Sequence, residues 1–195
     1  MSRTANLLGA LSLVAADRVR DATGAEPTWG AALVTLQTMT DGGSIDELRR
    51  VLGLSHSGGV RVVKALSRAE LVELRRDPDD GRAVQVWLTE DGRAAATRLR
   101  AARLEALDTL LDGLDPAGRA QLDELLARAL SAATVGRDDA RHICRICDPG
   151  VCGHPERCPV TRAADGVAGA SICSTGARPA PARTTGAATS RERAR

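Results

Sequence analysis

The sequence predicts a mainly α-helical fold in which a short two-stranded hairpin is inserted between helices. Apolar side chains recur with helical spacing along most of residues 4–133, whereas residues 72–88 contain two runs that alternate between apolar and polar side chains. Trp29 and Trp87 are the only aromatic residues in the 195-residue chain, so its core must consist of Leu, Val and Ala. Such a core suits packed helices better than two packed sheets.

Two helices are predicted near the N-terminus. Residues 4–22 form an amphipathic pattern, and a second helix begins near Pro27, which suits a first helical turn, and ends near Met39. Residues 7–16 resemble a signal peptide, but the apolar stripe continues past Asp17, which favours a cytoplasmic protein. No apolar run approaches the roughly 20 residues that a membrane span requires.

The next two predicted helices are short and separated by a glycine. Residues 44–47 read as a capping box, in which the Ser44 hydroxyl accepts the Glu47 amide while the Glu47 carboxylate reaches back. Gly53 is expected to end the first helix, and Ser55 is expected to cap the second. Their apolar positions are Leu48, Val51 and Leu52 on the first helix and Val60, Val63 and Leu66 on the second.

A hairpin and two long helices complete the predicted domain. The strands are marked by Val72 and Leu74, then by Val84, Val86 and Leu88, with a polar turn-forming loop at residues 77–82. Thr89 is expected to cap a helix that runs to about Leu114, and Asp115 to cap the last one.

This order of elements is that of a winged helix-turn-helix. In such a fold the second short helix presents side chains to base edges in the major groove of DNA. The loop between the strands, called the wing, can place a cation in a neighbouring minor groove. Charge totals permit this function without proving it, because residues 1–136 carry a net charge of −2 and residues 137–195 one of +4.

Two segments resemble the MarR family of bacterial regulators. Residues 48–66, LRRVLGLSHSGGVRVVKAL, are similar to its helix-turn-helix, and residues 71–92, LVELRRDPDDGRAVQVWLTEDG, to its wing. The resemblance covers residues 4–135 and implies a homodimer whose interface is formed by the first and last helices. It also implies that Arg82 enters the minor groove while Asp80 holds it. The recognition-helix contacts that it implies are Ser55, His56, Ser57, Arg61 and Lys64.

Two features depart from the pattern of that family. Glu70 stands where the family usually has glycine at the end of the recognition helix. Gly58 and Gly59 lie inside the recognition helix, where each costs about 1 kcal/mol relative to alanine. These glycines either allow the backbone to approach DNA closely or are simply tolerated.

Four cysteines lie close together after the last predicted helix. Cys144, Cys147, Cys152 and Cys158 are candidate ligands for a metal, because four thiolates can surround one zinc ion or one iron–sulfur cluster. A reversible thiol switch and inert thiols are the alternatives. The segment contains few apolar residues, so we expect a bound metal to order it. Cys173 is expected to be a free thiol.

The sequence therefore divides into three predicted parts. Residues 1–136 are the DNA-binding and dimerisation domain, residues 137–165 a cysteine-rich metal or redox segment, and residues 166–195 a disordered basic tail. We expect a regulator, acting as a repressor, that binds a pseudo-palindromic operator in double-stranded DNA. A small molecule, a metal or a redox change would provide its signal.

The alternative function is that of a winged-helix module for protein interaction or metal handling that does not bind DNA. The acidic balance of residues 1–136 and the presence of Glu70 favour it. An enzyme is not expected, because no catalytic constellation or phosphate-binding loop is apparent. No membrane partner is expected either.

Overall fold

The computed structural model describes residues 2–77 and 83–168, and the part of the predicted tail from residue 169 onward lies outside them. Helices form most of this structure. The elements are α1 (Arg3–Thr23), α2 (Pro27–Thr35), β1 (Gly43–Ser44), α3 (Ile45–Leu52), α4 (His56–Arg68), β2 (Val72–Arg76), β3 (Val84–Leu88), α5 (Glu90–Asp108), α6 (Pro116–Ala133), α7 (Arg137–Ile143), α8 (Pro149–Cys152) and α9 (Pro159–Ala168).

The helices begin where their capping residues predict. Side-chain oxygens of Ser44, Ser55, Thr89 and Asp115 each accept a hydrogen bond from the backbone amide three residues later, at 2.8–3.1 Å. Each bond satisfies an amide that has no partner within its own helix. The cap predictions for α3, α4, α5 and α6 are therefore confirmed.

Two helices differ from their predicted extent. A π-helical turn, Leu36–Thr40, follows α2 directly and carries the helical path to the predicted end. Helix α5 ends at Asp108 and continues as a 3-10 turn, Thr109–Leu111, so its predicted continuation to Leu114 is wrong. Because Leu111 and Leu114 lie beyond the helix, the leucine spacing overestimates its length.

The sheet has three strands in the order β1–β3–β2, all antiparallel, rather than the two that were predicted. The short strand β1 adds Gly43 opposite Val86 and makes β3 the central strand. Successive side chains of β3 are buried on both of its faces, since Gln85 and Trp87 are buried along with Val86. The predicted half-buried alternation therefore fails for β3.

The main core lies between α2, α3, α4, α5 and the sheet. Leu36, Leu48, Leu66 and Val86 are fully inaccessible to solvent. This core holds the two helices of the helix-turn-helix against the sheet.

A second, smaller core lies within the C-terminal segment. Its buried members are Ala140, Cys144, Cys158, Val160 and Ala164, and Met39 packs against them from the domain before it. The sequence analysis expected almost no apolar core in this segment, and that expectation is wrong. Short apolar side chains and two thiols from α7, α9 and the residues next to these helices supply a core that no continuous periodicity shows.

Helices α1 and α6 contain no buried residue. Large apolar side chains on both are exposed, including Leu7, Leu8 and Leu11 on α1 and Leu125 and Leu126 on α6. No helix within residues 2–77 and 83–168 combines the length and apolarity needed to cross a bilayer.

Candidate nucleic-acid interface and cysteine cluster

The orientation of α4 is fixed by the turn that joins it to α3. Gly53 adopts a left-handed conformation, with φ of 68°, and the Leu54 amide donates to the Arg49 carbonyl at 2.9 Å. Glycine adopts this conformation without the steric penalty that a side chain would add. Buried Val63 and Leu66 then set which face of α4 points inward.

The opposite face of α4 is exposed and basic. All five side chains predicted to contact DNA are exposed there: Ser55, His56, Ser57, Arg61 and Lys64. The sequence analysis missed Arg68, which is also exposed. Its position, four residues after Lys64, continues the spacing of Ser57, Arg61 and Lys64 on one helix face and could have identified it.

The cationic side chains of α3 and α4 differ in whether they form ion pairs. Arg49 and Arg50 pair with Asp46 at 2.6 Å and 3.2 Å, and the hydrogen bond from Arg49 holds the pKa of that carboxyl below its usual range. None of the cations on the α4 face forms an ion pair with another described residue. These charges are therefore available to a phosphate or a base edge.

The wing is anchored at its base. The Asp77 amide donates to the Ala83 carbonyl at 3.0 Å, and the Gln85 amide group donates to the Asp77 carboxylate at 2.8 Å. The two predicted wing contacts, Asp80 and Arg82, lie outside the described residues. Their predicted roles stay predictions.

Gly58 and Gly59 face the protein interior and not the exposed side of α4. Both are buried, and a methyl group added at Gly59 would lie 2.8 Å from Cβ of Arg49. The interpretation that they allow a close approach to DNA is wrong for this geometry. Gly59 allows α4 to pack closely on α3, whereas Gly58 lies against Ser55 and Leu54.

Glu70 occupies a left-handed conformation, with φ of 59°, just after α4. A residue with a side chain rarely adopts this conformation, which explains the glycine that the family resemblance leads one to expect there. The Thr89 hydroxyl donates to the Glu70 carbonyl at 2.8 Å and helps to hold the turn. Glutamate in place of glycine at position 70 therefore adds backbone strain to this turn.

The four cysteines of the C-terminal segment lie together. The Cys144 thiol interacts with those of Cys147 and Cys158, and Cys158 also interacts with Cys152. Cys144 and Cys158 are buried, while the other two are partly exposed. As the side chains stand, no group of three or more His, Cys, Asp or Glu residues in the described ranges is arranged to hold a metal ion.

The thiols differ in acidity because of these contacts. The hydrogen bond from Cys144, with help from the charges of Arg103 and Arg145, lowers the pKa of Cys147 to about 7. Hydrogen bonds from Cys144 and Cys152, and from Thr161, lower the pKa of Cys158. The pKa of Cys144 is raised, since it donates to the other two and is buried.

The segment that carries the cysteines is docked on the helix-turn-helix. Arg141 donates to the Glu47 carboxylate at 2.9 Å, and His142 Nδ1 donates to the Val51 carbonyl at 2.8 Å. The capping-box prediction had the Glu47 carboxylate accept a hydrogen bond from the backbone amide at the start of α3, but in the structure this carboxylate forms an ion pair with Arg141. These contacts join residues more than 90 positions apart, so no local pattern could have revealed them.

A mostly apolar cavity of about 350 Å³ is partly lined by Ile146 of the cysteine segment. Its other lining residues come mainly from α1, α2 and α5, and Arg20 and Arg103 are the charged residues among them. Its lining includes Val19, Pro27, Leu107 and Ile146.

Comparison with known proteins relates part of the chain to a known family. Residues 23–83, which contain α2, α3, α4 and the first strand of the wing, match the model of the MarR family. Members of that family are transcriptional regulators and not enzymes.

Solved structures of such regulators share the fold. A probable transcriptional regulator from Pseudomonas aeruginosa is 28% identical, with a TM-score of 0.52, over 66% of this chain and 97% of its own. CouR from Rhodococcus jostii RHA1, bound to p-coumaroyl-CoA, is 23% identical with a TM-score of 0.52, over 64% and 90% of the two chains. A mutant of MepR from S. aureus, bound to an oligodeoxyribonucleotide, is 19% identical with a TM-score of 0.51, over 68% and 99%.

These structures are covered almost completely, whereas about a third of this chain lies outside each alignment. No curated protein sequence matches the chain significantly.

Proposed function

We propose that this chain is a transcriptional regulator of the MarR type and that it binds double-stranded DNA through the exposed face of α4. The observation that carries the proposal is the position of Arg61, Lys64 and Arg68 on one solvent-facing side of a helix whose other side is buried in the core. Such a helix can enter the major groove and contact both phosphates and base edges. The MepR mutant bound to an oligodeoxyribonucleotide has the same fold, which supports the proposal.

The proposed regulator is a homodimer that binds a pseudo-palindromic operator and represses transcription by occupying it. Helices α1 and α6 support the dimer, because their exposed leucines have no cover within one subunit. A two-fold axis through these helices would place two copies of α4 against two half-sites. Pairing the apolar faces of both helices would remove them from water.

A small molecule is the proposed effector. The cavity between α1, α2 and α5 is mostly apolar with two cations, Arg20 and Arg103, at its wall, which suits an organic acid or a similar amphipathic ligand. CouR, which shares the fold, binds p-coumaroyl-CoA. A ligand in this cavity would contact both a proposed dimer helix and the domain that carries α4, and so could alter the spacing of the two recognition helices.

The DNA-binding proposal is tested with the full-length protein and its preferred duplex, selected from a random pool. Replacing Arg61 with alanine is expected to weaken binding to that duplex by about 1–3 kcal/mol, the cost of losing a contact with a base. Lys64→Ala, which removes a contact with a phosphate, is expected to reduce the slope of log K against log salt concentration by about one. Fluorescence anisotropy over a range of salt concentrations measures both quantities.

Arg98→Ala is the matched control, since Arg98 is also an exposed cation but lies on α5. It is expected to leave the affinity nearly unchanged. If all three variants bind the duplex as tightly as the wild type, α4 is not the interface. If the wild type selects no duplex from the pool, the interaction-module alternative replaces the proposal.

A further inference from the structure

The C-terminal segment brings four thiols from different turns into one group. Cys144 ends α7, Cys147 follows one turn later, Cys152 ends α8, and Cys158 directly precedes α9. Cys144 and Cys158 are buried in one cluster, and Cys147 and Cys152 pack against it. Side-chain hydrogen bonds join the thiols in the order 147–144–158–152.

We propose that Cys144, Cys147, Cys152 and Cys158 bind one zinc ion as four thiolates, and that the filled site holds α7 in place on α3. Four sulfur ligands around one tetrahedral ion are the usual composition of a structural zinc site. Binding breaks four S–H bonds, forms four Zn–S bonds and releases the protons to solvent. Zinc binding also requires the four thiol side chains, which hydrogen-bond to one another without a metal, to turn towards one shared point.

Direct contact between the sulfurs favours one ion over a multinuclear cluster. In a tetrahedral site with Zn–S bonds of about 2.3 Å, neighbouring sulfurs are separated by little more than their contact distance. Thiols that interact with each other already lie near that spacing. An iron–sulfur cluster places several metal and sulfide atoms between its cysteines, so they would have to move apart.

Residues around the thiols are suited to stabilise thiolates. Thr161 interacts with the Cys158 sulfur through both its backbone amide and its hydroxyl. Amide and hydroxyl donors to a metal-bound sulfur fix its orientation and spread its charge. Arg103 of α5 and Arg145 lie near Cys147 and would offset part of the net charge of −2 on a zinc ion with four thiolates.

A bound ion would add to the limited burial within this segment. Between residues 142 and 158 only Cys144 and Cys158 are buried, although Ile143, Cys147 and Cys152 pack against the same core. Fixing the backbone costs about 1–2 kcal/mol per residue, and this small core leaves much of that cost to be offset. Zinc binding can make up the difference, because its free energy becomes folding free energy of the segment.

An ion at this position would act on the proposed DNA-binding domain. Arg141 and His142, on α7, contact Glu47 and Val51 of α3, which packs directly against α4. At the other end of the segment, the Ser131 hydroxyl of α6 donates to the Pro159 carbonyl at 3.3 Å. Zinc would therefore connect the helix-turn-helix to one of the exposed leucine-bearing helices.

The test measures metal in the full-length protein, purified under reducing conditions without chelators. Elemental analysis is expected to find about one zinc per subunit. Cobalt is expected to replace it and to give the intense visible absorption of a tetrahedral thiolate complex. Cys147→Ser and Cys158→Ser are expected to lose the stoichiometric metal, whereas Cys173→Ser, outside the four-cysteine group, is expected to keep it.

Hydrogen exchange provides a second measurement that does not depend on metal content alone. Removing zinc with a chelator is expected to lower the protection of amides in residues 137–168 and in α3, and restoring zinc should recover it. The same pattern is expected for Cys147→Ser without any chelator. Neither measurement involves DNA, so the zinc site can fail while the DNA-binding proposal stands, and the reverse is also possible.

Three outcomes would overturn the proposal. Reduced protein that binds no zinc on reconstitution, with all five thiols reactive, would exclude the site. Equal amounts of iron and sulfide with a visible chromophore would replace zinc by an iron–sulfur cluster. Unchanged protection of residues 137–168 after complete zinc removal would show that the ion does not order the segment.

Discussion

Replacing Gly59 with alanine is expected to destabilise the protein, although alanine is the better helix former. Helix propensity alone would favour the substitution by about 1 kcal/mol. The added methyl group would, however, lie 2.8 Å from Cβ of Arg49, well inside the roughly 3.5–4.0 Å at which carbon atoms rest. That atom is attached directly to the backbone of α3, so a side-chain rotation cannot move it away.

Relief therefore requires α4 to move away from α3. Overpacking of this kind costs about 1–3 kcal/mol, which leaves a net loss of about 0–2 kcal/mol and a Tm lower by about 2–4 °C per kcal/mol. Thermal unfolding of the wild type and the variant measures the difference. Gly166→Ala in α9 is the matched control, because its methyl group meets nothing within 4 Å, and it should be neutral or slightly stabilising. A Gly59→Ala protein that is more stable than the wild type would refute the close packing of these helices.

Two further predictions concern the proposed complex with DNA. Arg82→Ala is expected to weaken binding to the selected duplex by about 1–3 kcal/mol while the dimer stays folded, and an unchanged affinity would remove Arg82 from the interface. Deleting residues 1–22 is expected to give monomeric or aggregated protein in light scattering, because α1 carries four exposed leucines of the proposed interface. A well-behaved dimer of that truncation would place the interface elsewhere and revive the signal-peptide interpretation.

Local signals in the sequence predicted most of the helix boundaries. A cap depends on one side chain and an amide three residues away, so Ser44, Ser55, Thr89 and Asp115 could each be recognised without tertiary information. The exposed face of α4 followed in the same way from the spacing of its apolar residues. What these signals cannot give is the contact that each exposed residue makes with DNA.

The errors arose where a distant segment decides the structure. The alternating pattern predicted a half-buried strand, but β3 is the central strand of three, and Gln85 and Trp87 are buried as well as Val86 and Leu88. The Glu47 carboxylate was assigned to a local cap, and a partner 94 positions away engages it. The role of Gly59 likewise depends on Arg49, which faces it only once α3 and α4 are packed.

The contact between Glu47 and Arg141 bears on how the two proposals relate. Both side chains are about a quarter to a third exposed, so the pair contributes little stability by itself. The ion pair matters because of its location. Together with the hydrogen bond from His142 to Val51, it attaches α7 to both ends of α3. Since α3 packs on α4 through Gly59, any change that displaced α7 would reach the proposed DNA-binding helix through one intervening helix. Under the two proposals together, displacement of α7 by loss of zinc would alter DNA binding although the cysteine cluster does not contact DNA, and this effect would act through a site separate from the proposed small-molecule cavity.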